Sequence, residues 1–157
     1  MNTAGSVVSL HIASTGAAAM QTLDEVQAVT GLGFKGDRYF AGLGTYSSNP
    51  GSGRHVTLIE IEAIGGLKRE YGVEIDAALA RRNIVTRGMA LNHLVGRQFA
   101  VGAVTLRGTR LCEPCAHLEK LSRKGALRGL IHRGGLRAEI ITGGIIRIDD
   151  TITPMGD

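Results

Sequence analysis

Two cysteines three positions apart, with a histidine close behind, are the side chains of this sequence best suited to chemistry. They lie in the segment Cys112-Glu113-Pro114-Cys115, and His117 follows. The cysteines can be buried as small apolar side chains, a common fate of cysteines outside disulfides. They can bind zinc with His117, although a structural zinc site needs a fourth ligand and the sequence has no second Cys-x-x-Cys pair. They can form a redox dithiol, although that motif usually lies beside a βαβ unit. Finally, one exposed thiolate can bind a metal cofactor or carry sulfur. The residue types alone leave these four interpretations open.

Arginine-bearing motifs are the second kind of functional candidate. Three segments stand out: Gly36-Asp37-Arg38-Tyr39, Arg81-Arg82-Asn83-Ile84-Val85-Thr86 and His132-Arg133-Gly134-Gly135-Leu136-Arg137-Ala138. Each places guanidinium groups beside glycines or an amide, and such groups can hold a phosphate and the edge of a heterocycle. The simpler interpretations are a polar turn with a local Asp–Arg pair and a solvated basic end of a helix.

The basic charge of the chain comes mainly from arginine. The sequence has 14 Arg and 4 Lys, with a formal net charge of +4. Arginine grips phosphate or carboxylate with a planar fork, so the bias suits an anionic small ligand, although a GC-rich genome produces the same bias. The basic residues are spread along the chain and aromatic residues are scarce. A nucleic-acid groove needs clustered charge and stacking side chains, so we expect no nucleic-acid partner.

Short strands must position these motifs. Val8, Leu10 and Ile12 alternate in the first strand, and a capping-box pattern at Thr57–Glu60 precedes helical spacing up to Tyr71, where Gly72 ends the helix. The predicted strands are Ser6–Ser14, Glu25–Thr30, Asn83–Thr86, Arg97–Val101, Ala103–Arg110, Leu136–Thr142 and Ile145–Ile152. The other predicted helical segments are Asp76–Ala80, Pro114–Leu121 and Lys124–Ile131.

This pattern predicts a mainly β fold. The helices do not alternate regularly with the strands, which favours a mixed or antiparallel β-barrel with a few short helices over a doubly wound sheet. A long glycine-rich stretch, 31–53, interrupts the strands, and structureless stretches of that length are usually functional or disordered.

The length of the chain indicates one domain, residues 1–157. At 157 residues, a chain can bury a sufficient core without a metal or a disulfide. Its first residues show no basic segment followed by a long apolar run, and no apolar stretch is long enough to cross a membrane. We therefore expect no membrane association and a cytoplasmic location.

The order of the motifs resembles the MOSC domain family, named after the C-terminus of molybdenum cofactor sulfurase. The resemblance extends from about Val7 to Ile152 and depends on the ordered set of motifs. In chain order they are Gly36-Asp37-Arg38, Arg54-His55-Val56-Thr57-Leu58-Ile59, Arg82-Asn83-Ile84-Val85, Gly88, Leu91–Gly96, Gly102, Pro114-Cys115, Arg133-Gly134, Arg137-Ala138 and Gly143-Gly144 through Asp149-Asp150.

The resemblance implies a barrel with a pocket for the molybdenum cofactor (molybdopterin), an anionic pterin that carries a phosphate. The family's hallmark cysteine matches Cys115, which would coordinate molybdenum or carry a sulfane sulfur. Arg38, Arg82, Asn83 and Arg137 match candidate contacts for the pterin and its phosphate. A helix starting at Pro114 would place the Cys115 thiol in its first turn, where backbone N–H groups favour a thiolate.

Three features depart from the family pattern. Tyr39 stands where the family often has histidine, and Cys112 is an additional cysteine that leaves room for a dithiol. The chain also lacks an aminotransferase-like domain and ferredoxin cysteines, so pyridoxal phosphate is not expected as a cofactor and a redox or sulfur-donor protein partner is needed.

The resemblance predicts an oxidoreductase that reduces small N-hydroxylated compounds with electrons from partner proteins. The alternative is a sulfur (persulfide) carrier or cofactor-delivery module without turnover of its own. A third hypothesis is a degenerate member that folds without binding metal.

Overall fold

Strands of two to eight residues supply most of the regular structure. The computed structural model describes residues 4–40 and 55–156, so Arg54 and most of the glycine-rich stretch lie outside the described residues. The described strands are β1 Gly5–Ile12, β2 Gln21–Leu23, β3 Glu25–Val29, β4 Gly33–Phe34, β5 Val56–Glu60, β6 Ile84–Arg87, β7 Gln98–Val101, β8 Val104–Leu111, β9 Leu136–Thr142, β10 Gly144–Arg147 and β11 Thr151–Pro154.

Seven of these strands close into a barrel. They follow the order β11-β7-β8-β9-β5-β6-β1, and β1 then pairs with β11. The pairing of β5 with β6 is parallel and the other pairings in the ring are antiparallel. This confirms the predicted mixed barrel. Apolar side chains at alternating strand positions fill its interior, including Leu10, Val56, Leu58, Ile84, Phe99, Leu106, Leu136 and Ala138.

A three-stranded sheet, β10-β3-β4, completes the same core with Val26, Phe34 and Ile146. The prediction of one strand over Ile145–Ile152 was wrong, because β10 ends at Arg147 and β11 begins at Thr151. Between them Asp149 adopts a left-handed backbone (φ 70°). A left-handed residue reverses the chain, so the two apolar runs join different sheets.

A β-bulge changes the inward face of β1. The register of β1 against β6 shifts between Val7 and Ser9. Val7 consequently packs in the barrel core with Leu10 and Ile12, whereas Val8 packs against the outer helical cluster. Strict alternation had predicted Val8 with Leu10 and Ile12, and the inserted residue is the reason for the difference.

The helices pack on the outside of the barrel. They are α1 Ile61–Tyr71, α2 Ala116–Leu121 and α3 Ala126–Gly129, with 3₁₀ turns at Ala77–Ala80 and Leu91–Leu94. Gly72 ends α1 in the left-handed conformation, as predicted. The capping box was wrong, because Thr57 lies inside β5 and the N-cap Glu60 makes no side-chain capping bond. Among the described residues, no helix has the length and apolarity needed to cross a membrane.

Candidate functional site

One cavity on the outer side of the barrel collects cysteines and arginines from distant parts of the chain. It has a volume of about 100 Å³. A smaller cavity of about 60 Å³ shares Arg38, Tyr39, Arg81, Arg82 and Cys115 with it, and we call the two together the arginine pocket. The larger cavity is also lined by Thr57, Cys112, Glu113 and Arg137, and the smaller one by Gly16, His117 and Leu118.

The buried carboxylate of Asp37 holds the Gly-Asp-Arg motif in place. Its Oδ1 accepts hydrogen bonds from the Ala13 backbone N–H and from Arg38 Nη1, each at 3.1 Å. Its Oδ2 accepts the backbone N–H of Tyr39 at 3.3 Å. The Arg38 guanidinium also lies over the Tyr39 ring, 5.0 Å from its centroid. Arg38 and Tyr39 are therefore positioned as a unit at one wall of the pocket.

Arg81 ties a second segment to the pocket. It follows the 3₁₀ turn in a left-handed conformation (φ 59°), which costs free energy for a residue with a Cβ. Its guanidinium donates to the carbonyl oxygens of Ala18 at 2.8 Å and Gly16 at 2.9 Å. Burial lowers the pKa of Arg81, and the neighbouring charge of Arg38 lowers it further. The positive charges of Arg38 and Arg81 are thus close together in a buried part of the pocket.

Arg82 is likewise occupied by protein acceptors. Its Nε donates to the carbonyl oxygen of Gly134 at 2.8 Å, and its Nη2 donates to that of Cys112 at 3.1 Å. Glycine is required at positions 134 and 135, since a Cβ at Gly134 would collide with Cys112 and Pro114, and one at Gly135 (φ 123°) with the carbonyl oxygen of Leu58. The Gly-Gly pair therefore lets its own backbone approach the cysteine segment.

Arg137 differs from the other arginines of the pocket. It lies opposite Thr57 at the start of β9. Its Nη1 is buried and has no hydrogen-bond partner among the described residues. A buried donor without an acceptor costs about 1–3 kcal/mol, so such an atom calls for a ligand or another functional explanation. Arg137 therefore has a buried guanidinium N–H that a ligand in the pocket could satisfy.

Both cysteines border the pocket. Cys112 is buried and donates its backbone N–H to the Gly135 carbonyl oxygen at 2.7 Å, and Cys115 is half-buried. The cysteines form no disulfide. The predicted helix start at Pro114 was wrong, because α2 begins at Ala116 and Cys115 is its N-cap in an extended conformation. Cys115 thus precedes the first helical turn.

Asn83 does not line the pocket, in contrast to the other predicted contact residues. It is buried, with an exposed fraction of 2%. Its Nδ2 donates to the His11 carbonyl oxygen at 3.0 Å, while its Oδ1 accepts the Thr57 backbone N–H at 3.0 Å. Through these bonds the amide joins β1 to β5. The structure brings together Arg38, Arg82, Cys115 and Arg137, and places Asn83 behind them.

Five residues that line the larger cavity are not among the contacts implied by the family resemblance: Tyr39, Thr57, Arg81, Cys112 and Glu113. Tyr39 and Arg81 adjoin proposed residues in the sequence, and that adjacency was the available signal. Glu113 carried no such signal, and it accepts hydrogen bonds from the backbone N–H of His132 at 2.7 Å and lies 2.9 Å from its ring Nδ1.

The described residues contain no group of three or more His, Cys, Asp and Glu side chains able to hold a metal ion. Cys112, Cys115 and His117 therefore do not form a zinc site of their own among these residues. A metal here would need most of its ligands from a cofactor. The pocket can supply a thiol, fixed positive charge and one buried unpaired donor.

The family model that describes the MOSC domain matches residues 45–153. The chain belongs to the MOSC domain family. Among curated proteins, no sequence matches this MOSC chain.

Solved structures share the fold of this MOSC protein. The YUAD protein from Bacillus subtilis aligns with a TM-score of 0.82 at 18% identity, covering 98% of this chain and 97% of that one. YiiM from Geobacillus stearothermophilus aligns with a TM-score of 0.72 at 12% identity, covering 97% and 75%. YiiM from Escherichia coli aligns with a TM-score of 0.65 at 20% identity, covering 100% and 71%. At these identities the similarity establishes the fold alone.

Proposed function

We propose that this MOSC protein binds the molybdenum cofactor in the arginine pocket and reduces small N-hydroxylated compounds with electrons from a partner protein. The observation that carries the proposal is the buried Nη1 of Arg137, which lacks a partner among the described residues in a pocket that also holds Cys115. An anion binding beside a thiol would satisfy that donor.

The residues of the pocket fit an anionic cofactor. Arg38, Arg81, Arg82 and Arg137 line the larger cavity, against the carboxylates of Glu113 in its lining and Asp37 behind it. Asp37 pairs with Arg38, so Arg81, Arg82 and Arg137 share the single carboxylate of Glu113 in the cavity lining, and the positive charge exceeds the negative charge. A phosphate is the kind of group that this arrangement attracts.

Each lining residue would have a different part in holding the cofactor. Arg137 would bind an anionic oxygen directly, and Cys115 would offer its sulfur as the protein ligand of the metal. Arg81 and Arg82 would fix the walls through their carbonyl acceptors and add positive potential. The bound cofactor would supply the two-electron chemistry that removes oxygen from the substrate. The chain's own residues would bind and orient the cofactor.

A second candidate function is that of a persulfide carrier. It is favoured by the placement of Cys112 and Cys115 at the same cavity. A sulfane sulfur on Cys115 would then lie near a second thiol that can release it by exchange. A sulfur-donor partner would load the protein, and no metal would be needed.

Elemental analysis separates the two functions. The protein is purified from a host that synthesises the cofactor, and its molybdenum and labile sulfane sulfur are measured together with the reduction of a hydroxylaminopurine. Stoichiometric molybdenum with turnover supports the reductase. Sulfane sulfur without molybdenum supports the carrier, and the absence of both contradicts the two proposals.

Substitution of each cysteine tests the part given to Cys115. Cys115→Ser should abolish molybdenum retention or sulfane loading without unfolding the protein, because oxygen replaces the soft sulfur ligand. Cys112→Ser is the matched control and should cost much less. Equal losses in the two variants would indicate a dithiol. Full retention in Cys115→Ser would refute the assignment.

A further inference from the structure

A β-bulge in β8 brings two arginines side by side at the edge of the arginine pocket. In the β8–β9 pairing, Gly108 lies opposite Ala138, but Arg110 lies opposite Arg137, so Thr109 is an extra residue in β8. The Thr109 hydroxyl donates to the Arg137 carbonyl oxygen at 3.1 Å. Without the bulge, alternation would turn Arg110 toward the barrel core. With it, Arg110 is exposed on the same face as Arg137.

Such a pair of like charges is unfavourable in the protein alone. Directly opposed residues on antiparallel strands have Cβ atoms about 5 Å apart, and equal charges there destabilise the sheet. The next pair along the same face combines opposite charges, since Arg107 lies opposite Glu139. Among the ion pairs of the described residues, none includes Arg110 or Arg137. The like-charge pair therefore lies at the edge of the pocket, because Arg137 lines it.

We propose that Arg110 and Arg137 form a second anion subsite that takes a phosphate-class oxyanion. Arg137 connects the pocket with this second subsite. Its buried Nη1 belongs to the pocket, and Arg110 lies opposite Arg137 on the outer face of the sheet. Two guanidinium forks at this spacing can share one tetrahedral anion. The ligand of the pocket would therefore carry two anionic groups, one inside and one at the edge. The inference rests on the proposed function for the identity of that ligand.

The group at the edge can come from two sources with the same chemistry. It can be a further phosphate of the bound cofactor, or the phosphate of an N-hydroxylated substrate such as a nucleotide. In both cases the recognised group is a phosphate ester or anhydride.

Calorimetric titration of the full chain with inorganic phosphate and pyrophosphate tests the subsite. The protein is produced in a host that cannot synthesise the cofactor, and the variants are Arg110→Gln and the matched control Arg107→Gln, an exposed arginine of the same strand. The wild-type protein should bind pyrophosphate more tightly than phosphate. Arg110→Gln should weaken pyrophosphate binding at least about fivefold, and Arg107→Gln should change it less than about twofold.

Thermal unfolding without ligand gives an independent result. Arg110→Gln should raise the unfolding midpoint because it removes a like-charge pair, whereas Arg107→Gln should not, since its opposite residue is Glu139. Equal loss of pyrophosphate affinity in both variants would show that pyrophosphate responds to the overall positive charge of this surface and not to a defined subsite. Absence of pyrophosphate binding in the wild-type protein would overturn the inference.

Repeating the titration on cofactor-loaded protein identifies the source. If the cofactor's own phosphate occupies the subsite, loaded protein should no longer bind phosphate there. If the group belongs to a substrate, phosphate should still bind and Arg110→Gln should still weaken it. These titrations do not depend on turnover, so protein that holds no molybdenum can refute the proposed function while the subsite is still measured.

Discussion

Replacement of Asn83 with alanine tests whether this residue stabilises the fold or contacts a ligand. The Oδ1 of Asn83 accepts a hydrogen bond from the Thr57 backbone N–H, and its Nδ2 donates one to the His11 carbonyl oxygen, both at 3.0 Å. Asn83 is buried, with an exposed fraction of 2%. Asn83→Ala leaves both backbone groups buried without those partners. At about 1.5 kcal/mol for each orphaned group, the free energy of unfolding should fall by about 3 kcal/mol. The midpoint of thermal unfolding should fall by about 9 °C.

Thr57→Val provides the matched comparison. The Thr57 hydroxyl accepts from the Asn83 N–H and donates to the Asn83 Oδ1. Both Asn83 groups keep another bond, because the N–H also donates to the Thr57 carbonyl oxygen and the Oδ1 also accepts the Thr57 N–H. The valine variant should therefore lose less than about 1 kcal/mol.

Urea unfolding followed by circular dichroism measures both variants. The midpoint concentration should drop for Asn83→Ala while the slope m is unchanged, which marks a loss of native-state stability. If the free energy of unfolding of Asn83→Ala lies within about 1 kcal/mol of the wild-type value, the buried hydrogen bonds of Asn83 are not its main contribution to stability. The earlier interpretation of Asn83 as a ligand contact would then regain support.

Two further predictions concern acid stability and the glycines. Burial lowers the pKa of His11 below its ordinary value of 6.5, so the unfolded chain binds the proton more readily and stability should fall as the pH drops below about 6.5. The urea midpoint of His11→Gln should vary less between pH 7 and pH 5 than that of the wild-type protein, and an identical pH profile would contradict this explanation. Gly135→Ala should destabilise the fold by about 3 kcal/mol, since its Cβ would collide with the Leu58 carbonyl oxygen at a left-handed φ. Gly65→Ala, at an exposed helical position with no atom near the new Cβ, should instead stabilise the protein by about 0.8 kcal/mol. Thermal unfolding of the two alanine variants measures this difference in sign.

Much of the candidate site could be anticipated from local patterns. Glycine beside arginine, and proline before Cys115, mark segments whose backbone and side chains face something other than an apolar core. The sequence could not assign the arginines their different parts. Arg82 is fixed by Gly134, 52 positions away, and Asn83 by His11, 72 positions away. Which donors remain for a ligand depends on acceptors that only the folded chain supplies.

The sequence by itself determined the class of fold, because alternation of apolar residues and the glycines between short strands are local properties. It determined the end of α1 at Gly72 for the same reason. Tertiary structure alone decided that β1 pairs with β11 to close the barrel, and that Ile145–Ile152 divides between two sheets. It also decided the bulges, which place Val7 in the core and Arg110 beside Arg137. A bulge depends on the register between two strands, and register is a relation between distant segments that neither segment encodes alone.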